Sequence, residues 1–159
     1  MKNYVQKIRR KLGHQSFIHP AARIIVENEK NQILIIKRTD TGKIGIPAGS
    51  LEEGETIEAC IIREVAEETG LKLKHIEVIG ISSNPDNESV AYPNGDKIQY
   101  FTIEFYSNTW EGEIMVQDTA EVQSVKFVDW SMLSELPKNE QSALVSLHYF
   151  RAHRRIRLT

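Results

Sequence analysis

The chain carries one cysteine, Cys60, in 159 residues. An internal disulfide is therefore excluded, and Cys60 is expected to serve as a small buried apolar side chain. No apolar run approaches the roughly 18 residues that cross a bilayer. The N-terminus is basic but lacks the apolar core of a signal peptide, so cytoplasmic residence is the expectation. An excess of one charge is missing too. Lys and Arg number 20 against 22 Asp and Glu, a formal net charge of -2. That balance gives no support for a broad nucleic-acid or membrane-binding surface. Repeats and linkers are also absent. With 40% hydrophobic and 26% charged residues, the chain reads as one globular domain over residues 1–159 with a single proper core.

What the chain does have is concentrated between Gly49 and Leu71, GSLEEGETIEACIIREVAEETGL. A helix is expected to start near Thr56, with Glu58 close behind it, and to end at Gly70. On that helix Glu64, Glu67 and Glu68 stand at i, i+3 and i+4, so three carboxylates share one face. Ala59, Ile62, Val65 and Ala66 fall largely on other faces and are expected to pack inward. Three like charges side by side repel, and a chain keeps them more readily when a cation neutralises them. Hard oxygen donors suit Mg²⁺ or Mn²⁺. A bare E-x-x-E-E, by contrast, is most often a solvated face laced with salt bridges.

The frame around the three acids narrows this. The stretch resembles the Nudix hydrolase box, G-x5-E-x7-R-E-U-x-E-E-x-G-U with U a bulky aliphatic. Gly49, Glu55, Arg63, Glu64, Val65, Glu67, Glu68, Gly70 and Leu71 fill all nine fixed positions, and a match of that length is specific. The looser resemblance covers most of residues 20–135. It implies a Nudix α/β/α sandwich, with a mixed β-sheet between helices. It implies Glu67 and Glu68 as the main metal ligands, joined by the Ala48 carbonyl just before the box glycine. Glu64 would either ligate a metal or orient and deprotonate the attacking water. Arg63 and Glu55 would lock the loop against the helix, with Gly49 and Gly70 shaping its two ends. A further carboxylate is implied from the region before the last strand. Glu121 fits that place, with Asp118 and Glu104 as rivals.

The remaining segments read as follows. Residues 2–12 place Tyr4, Val5, Ile8 and Leu12 at helical spacing, an accessory helix (1–13) that packs on the domain edge or makes a dimer contact. His14 to Pro20 reads as a loop, and neither His14 nor His19 has a partner at metal-ligand spacing. RIIVEN and QILIIKR read as two strands joined by a short hairpin loop at Glu29-Lys30-Asn31. Lys37 and Arg38 end the second strand, facing either water or a substrate phosphate or base. Lys72–Ser82 reads as a strand, and 84–96 as a long turn-rich loop, the usual material of a substrate pocket. Tyr92 in it is either a stacking platform for a base or a packed loop residue. In 97–108, KIQYFTIEFYSN, the face with Phe101, Ile103 and Phe105 is expected to be core, with Glu104 on the cleft side. Trp110-Glu111-Gly112-Glu113 reads as a turn, Asp118–Asp129 as a segment ending in a strand, Trp130–Pro137 as a short helix, and 138–159 as a docked C-terminal helix with a basic tail.

Pro47-Ala48-Gly49 and Pro85, 15 residues past Gly70, resemble the ADP-ribose pyrophosphatase branch. The function implied is metal-dependent hydrolysis of a phosphoanhydride in a nucleoside diphosphate linked to another moiety, ADP-ribose or a nucleotide sugar. The rivals are a (d)NTP house-cleaning pyrophosphatase, removal of 5′ pyrophosphate from RNA, for which a more basic surface is expected, and a non-catalytic nucleotide sensor. The resemblance also implies a homodimer.

Overall fold

The computed structural model describes residues 4–159. Met1, Lys2 and Asn3, the start of the segment read as an N-terminal helix, lie outside them.

Two apolar strands make the centre. In β1 (Phe17–Val26) every residue from Ala21 to Val26 is buried, so both faces of that strand are covered. β1 runs parallel to β7 (Lys97–Glu111), from Phe17↔Ile98 to Val26↔Ser107. On its other side it pairs antiparallel with β4 (Ala48–Ser50). β5 (Lys72–Ser82) pairs antiparallel with β7, as does β6 (Ser89–Ala91), and β9 (Arg157–Leu158) joins β5 in parallel. The order β4-β1-β7-β5-β9 is a mixed sheet. A second, antiparallel sheet sets β2 (Ile33–Arg38) between β3 (Ile44–Gly45) and β8 (Val122–Val128).

Helices cover both faces of the mixed sheet. α2 (Ile57–Thr69) packs Cys60, Ile61 and Val65 against Ala22, Ile24, Val26 and Phe105. α4 (Lys138–His153) packs Ala143 and Leu147 against Ile25 and Ile79. Ile24 and Ile25 are neighbours in sequence but belong to opposite clusters, as the two-residue period of a strand requires. Each such fully buried aliphatic side chain contributes about 1.5–3 kcal/mol relative to exposure. The result is an α/β/α sandwich. α1 (Tyr4–Leu12) and the short α3 (Pro85–Glu88) sit at its edges, and a 3₁₀ turn at Trp130–Glu135 follows β8.

The expected helix ends hold. Thr56 caps α2, its hydroxyl accepting from the Ala59 N–H at 3.2 Å. Gly70 closes it in the left-handed conformation at φ 79°, its N–H bonded to the Ala66 carbonyl.

Several local expectations are corrected. On α2, Ala59 is exposed and Ile62 is 41% exposed, while Glu64 and Glu68 are buried beside Cys60, Ile61 and Val65. The helix is rolled so that part of its acid face turns inward under β4. Residues 17–20 are strand rather than loop, because β1 finds a parallel partner about 80 residues downstream in sequence, a pairing no local pattern reveals. The Glu29–Asn31 turn exists, with Asn31 at φ 58°, but the hairpin stops at one bridge, Glu27↔Ile33. β1 and β2 then diverge into different sheets. Phe101 is 42% exposed, whereas Ile98, Thr102, Glu104 and Phe105 are buried, since helices cover both sides of β7. β7 runs on to Glu111, so the turn comes only at Gly112, φ 87°. The 84–96 segment contains α3 and β6 and is less irregular than expected. In the basic tail, Arg157 and Leu158 add an edge strand to the mixed sheet, which the helix-and-tail reading did not include.

Candidate functional site

The box loop and α2 meet at one close approach. A Cβ on Gly49 would come within 3.0 Å of the Glu64 carboxyl group. Only glycine lets β4 lie this close to the helix, and the buried Glu64 carboxylate fills the space. Its Oε1 accepts from Arg63 Nη1 at 2.8 Å. Glu68, one turn on and also buried, accepts the Ala48 N–H on Oε2 at 3.2 Å. Glu67 is half-buried, and the same Arg63 Nη1 reaches its Oε2 at 3.4 Å.

Arg63 is the hub. Its Nε and Nη2 bind Glu55 Oε1 and Oε2 at 2.7 and 3.0 Å, a fork-to-fork pair. Nη2 also donates to the Ser50 carbonyl at 3.3 Å. The Glu55 hydrogen bonds push the Arg63 pKa upward, and the Arg63 bonds in turn hold the Glu55 carboxyl below its usual range. The loop-locking pair read from the sequence is therefore formed. Cys60 lies beneath it, its thiol directed at the Gly49 and Ser50 carbonyls, and burial pushes its pKa up to about 12. The small buried role expected of it holds.

The structure also brings the distant acidic segment to α2. The N–H groups of Gln117 and Asp118 both donate to the Glu67 carbonyl, at 3.2 and 3.1 Å, and Met115 N–H donates to Thr69 O at 2.8 Å. Glu121 closes the following turn, its N–H bonded to Asp118 O, and its carbonyl accepts from the Thr39 N–H. Asp118 and Glu121 thus lie in a segment anchored to the C-terminal turns of the acidic helix. Glu104 does not. It is buried against α4, holding Arg23 through Oε1 and accepting from the Ser146 hydroxyl on Oε2. It is a core ion-pair member, not a cleft residue, because its strand face is covered by α4.

Two further charged groups border the site and were not singled out together from the sequence. Arg38 Nη2 pairs with Glu140 at 2.8 Å, and Glu140 Oε2 accepts the Ile46 N–H at 2.6 Å. Burial works against the Arg38 charge, but the carboxylates of Glu140 and then Glu68 raise its pKa. Arg38 therefore stands in the field of the box acids. A second buried network links Arg23 to Glu88 and Glu104, with Ser82 and Thr102 donating to Glu88. The signal for it was a lone arginine inside the apolar run AARIIV. Glu88 carried none.

The chemistry of this set is all-oxygen and anionic. Glu64, Glu67 and Glu68 present carboxylates from one helix beside the Ala48–Gly49 turn, a donor set of the type that hard divalent cations take. As they lie, Arg63 engages Glu64 Oε1 and Glu67 Oε2, the Ala48 N–H engages Glu68 Oε2, and among the described residues no three acidic, His or Cys side chains form a ready metal cage. The donors fit a cation in kind, and the second oxygen of Glu64 and of Glu67 is not bonded to Arg63.

The family model for the NUDIX domain matches residues 17–150. The chain belongs to the NUDIX domain family. It is similar to an ADP-ribose pyrophosphatase of Methanocaldococcus jannaschii, 35% identical over 145 residues, which cover 86% of this chain and 78% of that protein. It is 29% identical over 125 residues to an NAD-capped RNA hydrolase of Vibrio atlanticus, of which only 42% is covered. Among solved structures, the NUDIX domain of Shewanella oneidensis NrtR, crystallised with ADP ribose, superposes with a TM-score of 0.69 at 17% identity, covering 84% of this chain and 88% of that one. A Streptococcus suis ADP-ribose pyrophosphatase gives 0.64 at 18% identity, covering 89% and 98%. These last two carry the Nudix fold and nothing finer. Family and relatives place the chain among the Nudix pyrophosphohydrolases.

Proposed function

We propose that the chain hydrolyses a phosphoanhydride bond in a nucleoside diphosphate joined to another moiety, with ADP-ribose the first substrate to try. The observation that carries this reading is the Gly49–Glu64 approach. It fixes three carboxylates of α2 against the turn at Ala48, with Arg63 and Glu55 bracing them. Support for the substrate comes from the 35% identical ADP-ribose pyrophosphatase and from Pro47-Ala48-Gly49 with Pro85.

Glu64, Glu67, Glu68 and the Ala48 carbonyl would hold Mg²⁺ or Mn²⁺. When bound, the cation neutralises diphosphate charge and acidifies water. The chain's own part is positional. Glu55 anchors Arg63, Arg63 sets the carboxylates of Glu64 and Glu67, and Gly49 admits Glu64. Glu64 is the buried carboxylate suited to orient and deprotonate the attacking water, and Glu121 is a further acid on the adjoining segment. Arg38 is a free-reaching cation only after leaving Glu140, and would then meet a substrate phosphate. We read residues 1–159 as a single domain, with 1–13 an accessory N-terminal helix and 138–159 a C-terminal helix and basic tail, the protein as cytoplasmic, and a homodimer as its assembly. No described helix is long and apolar enough to cross a membrane.

The test is phosphate release from a panel of ADP-ribose, other nucleotide sugars, dinucleoside polyphosphates and (d)NTPs, with Mg²⁺, Mn²⁺ or chelator. Metal-dependent cleavage with the best kcat/KM on ADP-ribose supports the proposal. A best substrate among the (d)NTPs moves it to the house-cleaning class. No turnover, with a nucleotide raising the melting temperature, replaces it by a sensing module.

A further inference from the structure

α1 precedes the residues that the family model matches, and it behaves unlike a core helix. None of its residues is buried, and Leu12 is 39% exposed. Tyr4, Val5 and Ile8 are only half-buried, so its apolar face contributes less docking energy than that of a core helix. Its polar contacts are specific, and they fall at two loops. At its start, the first helical N–H, that of Tyr4, donates to Glu52 Oε2 at 3.0 Å. A helix leaves its first N–H groups without internal partners and is positive at that end, so a carboxylate from another segment is a good cap. Lys7 adds a pair to Glu53 at 3.5 Å. At its end, Arg9 donates to the Lys97 carbonyl at 2.5 Å, reaches Asp96 at 3.5 Å and lies over the Phe17 ring at 4.7 Å. His14 holds the other oxygen of Asp96 at 2.8 Å.

The first of those loops is the box loop. Glu52 gives its side chain to α1 and its backbone N–H to Glu55 Oε2 at 3.2 Å. Glu55 holds Arg63 by both oxygens, and Arg63 holds Glu64 and Glu67. A continuous series of hydrogen bonds thus runs from the N-terminus of α1 through Glu52, Glu55 and Arg63 to the box carboxylates. Its other anchor is the turn before β7.

We propose that α1 is a strap that positions the box loop, and that Glu52 is the positioning residue through which it acts. The proposal rests on the hydrolase reading for its consequence, but not for its geometry. A helix that only shielded the sheet edge would need no contact with residues 52 and 53. Directional contacts at both ends, with apolar side chains between them that are only half-buried, are the pattern of a clamp.

The test compares wild type, Glu52→Ala, Glu52→Gln and Arg9→Ala. Amide hydrogen exchange is followed at residues 50–55 in metal-free protein, together with the melting temperature, Mn²⁺ affinity by electron paramagnetic resonance, and the Mg²⁺ concentration for half-maximal hydrolysis. Glu52→Ala should speed exchange in the loop and weaken metal affinity by about tenfold, the low end of what outer partners of metal ligands show. The maximal rate at saturating metal should change far less. Glu52→Gln keeps an oxygen for the Tyr4 N–H and should behave as wild type. Arg9→Ala, which frees the far end, should repeat the Glu52→Ala pattern more weakly. Unchanged exchange at 50–55 in Glu52→Ala overturns the strap. So does faster exchange with unchanged metal affinity, because the helix would then dock without positioning. Wild type that turns over no substrate counts against the hydrolase reading instead, and the exchange arm still decides whether α1 holds the loop.

Discussion

Gly49 and Glu64 are 15 residues apart in sequence and in contact in space, with the carboxylate of Glu64 where a side chain at position 49 would begin. Gly49 is required here by close approach, not by an unusual backbone angle. Gly49→Ala should therefore push Glu64 out of its seat and cost about 1–3 kcal/mol of stability, the range for overpacking a filled site. Urea denaturation measures the cost. The kcat/KM of the folded variant should fall more than the stability loss accounts for. Unaltered kcat/KM would remove the weight placed on this contact.

Glu67 is half-buried and weakly held by Arg63, so Glu67→Gln should fold normally. It should lower kcat/KM by at least about a hundredfold, and added Mn²⁺ should recover only part of this. Chelator should abolish turnover in wild type and leave the melting temperature of the variant unmoved. A variant that retains most activity would take Glu67 out of the proposed ligand set.

Arg23 carries two buried carboxylates, Glu88 and Glu104. Burial opposes its charge, and those partners more than restore it. Arg23→Leu leaves two uncompensated anions in the interior and should destabilise by about 3–5 kcal/mol. Arg23→Leu combined with Glu88→Gln and Glu104→Gln should recover much of that loss. Thermal denaturation of the single and triple variants tests both halves. Additive losses would mean the network is not coupled.

His19 is buried among Tyr4 of α1, Phe17 and Tyr100, with the carboxylate of Glu52 as the charged group facing it. Burial lowers its pKa below 6.5, and Glu52 opposes this only in part. The neutral form is thus favoured in the native state. As pH falls below 6.5 the unfolded chain takes up a proton that the folded chain resists, so stability falls with it, down to the lower native pKa. His19→Phe should flatten stability against pH across that window. A slope unchanged by the substitution would assign it to other groups.

Cys60 is buried, with its thiol pushed up to about 12. It should ignore a thiol reagent at pH 8 in the native protein and react at once in denaturant. Loop opening by Glu52→Ala should raise the native labelling rate, because the thiol faces the Gly49 and Ser50 carbonyls.

The box was legible because its chemistry is local. Gly49, Glu55, Arg63 and the three glutamates lie within one loop and one helix, where spacing along the chain dictates which side chains meet. Thr56 and Gly70 bounded the helix for the same reason, since capping uses neighbours only. The parallel pairing of β1 with β7 was not legible, because strand partners far apart in sequence are chosen by what completes the sheet. That pairing made strand of residues 17–20 and, with α4 laid over it, turned Glu104 from an expected cleft acid into a buried partner of Arg23.

By itself, then, the sequence determined the family, the acidic helix, its ends and the loop-locking pair, all set by short-range spacing and capping. The tertiary structure alone decided which face of that helix is buried, where Arg38 and Glu140 meet, and that α1 grips the box loop through Glu52. Those contacts join segments with no periodic relation, and burial and hydrogen-bond satisfaction select them only once the whole chain is packed.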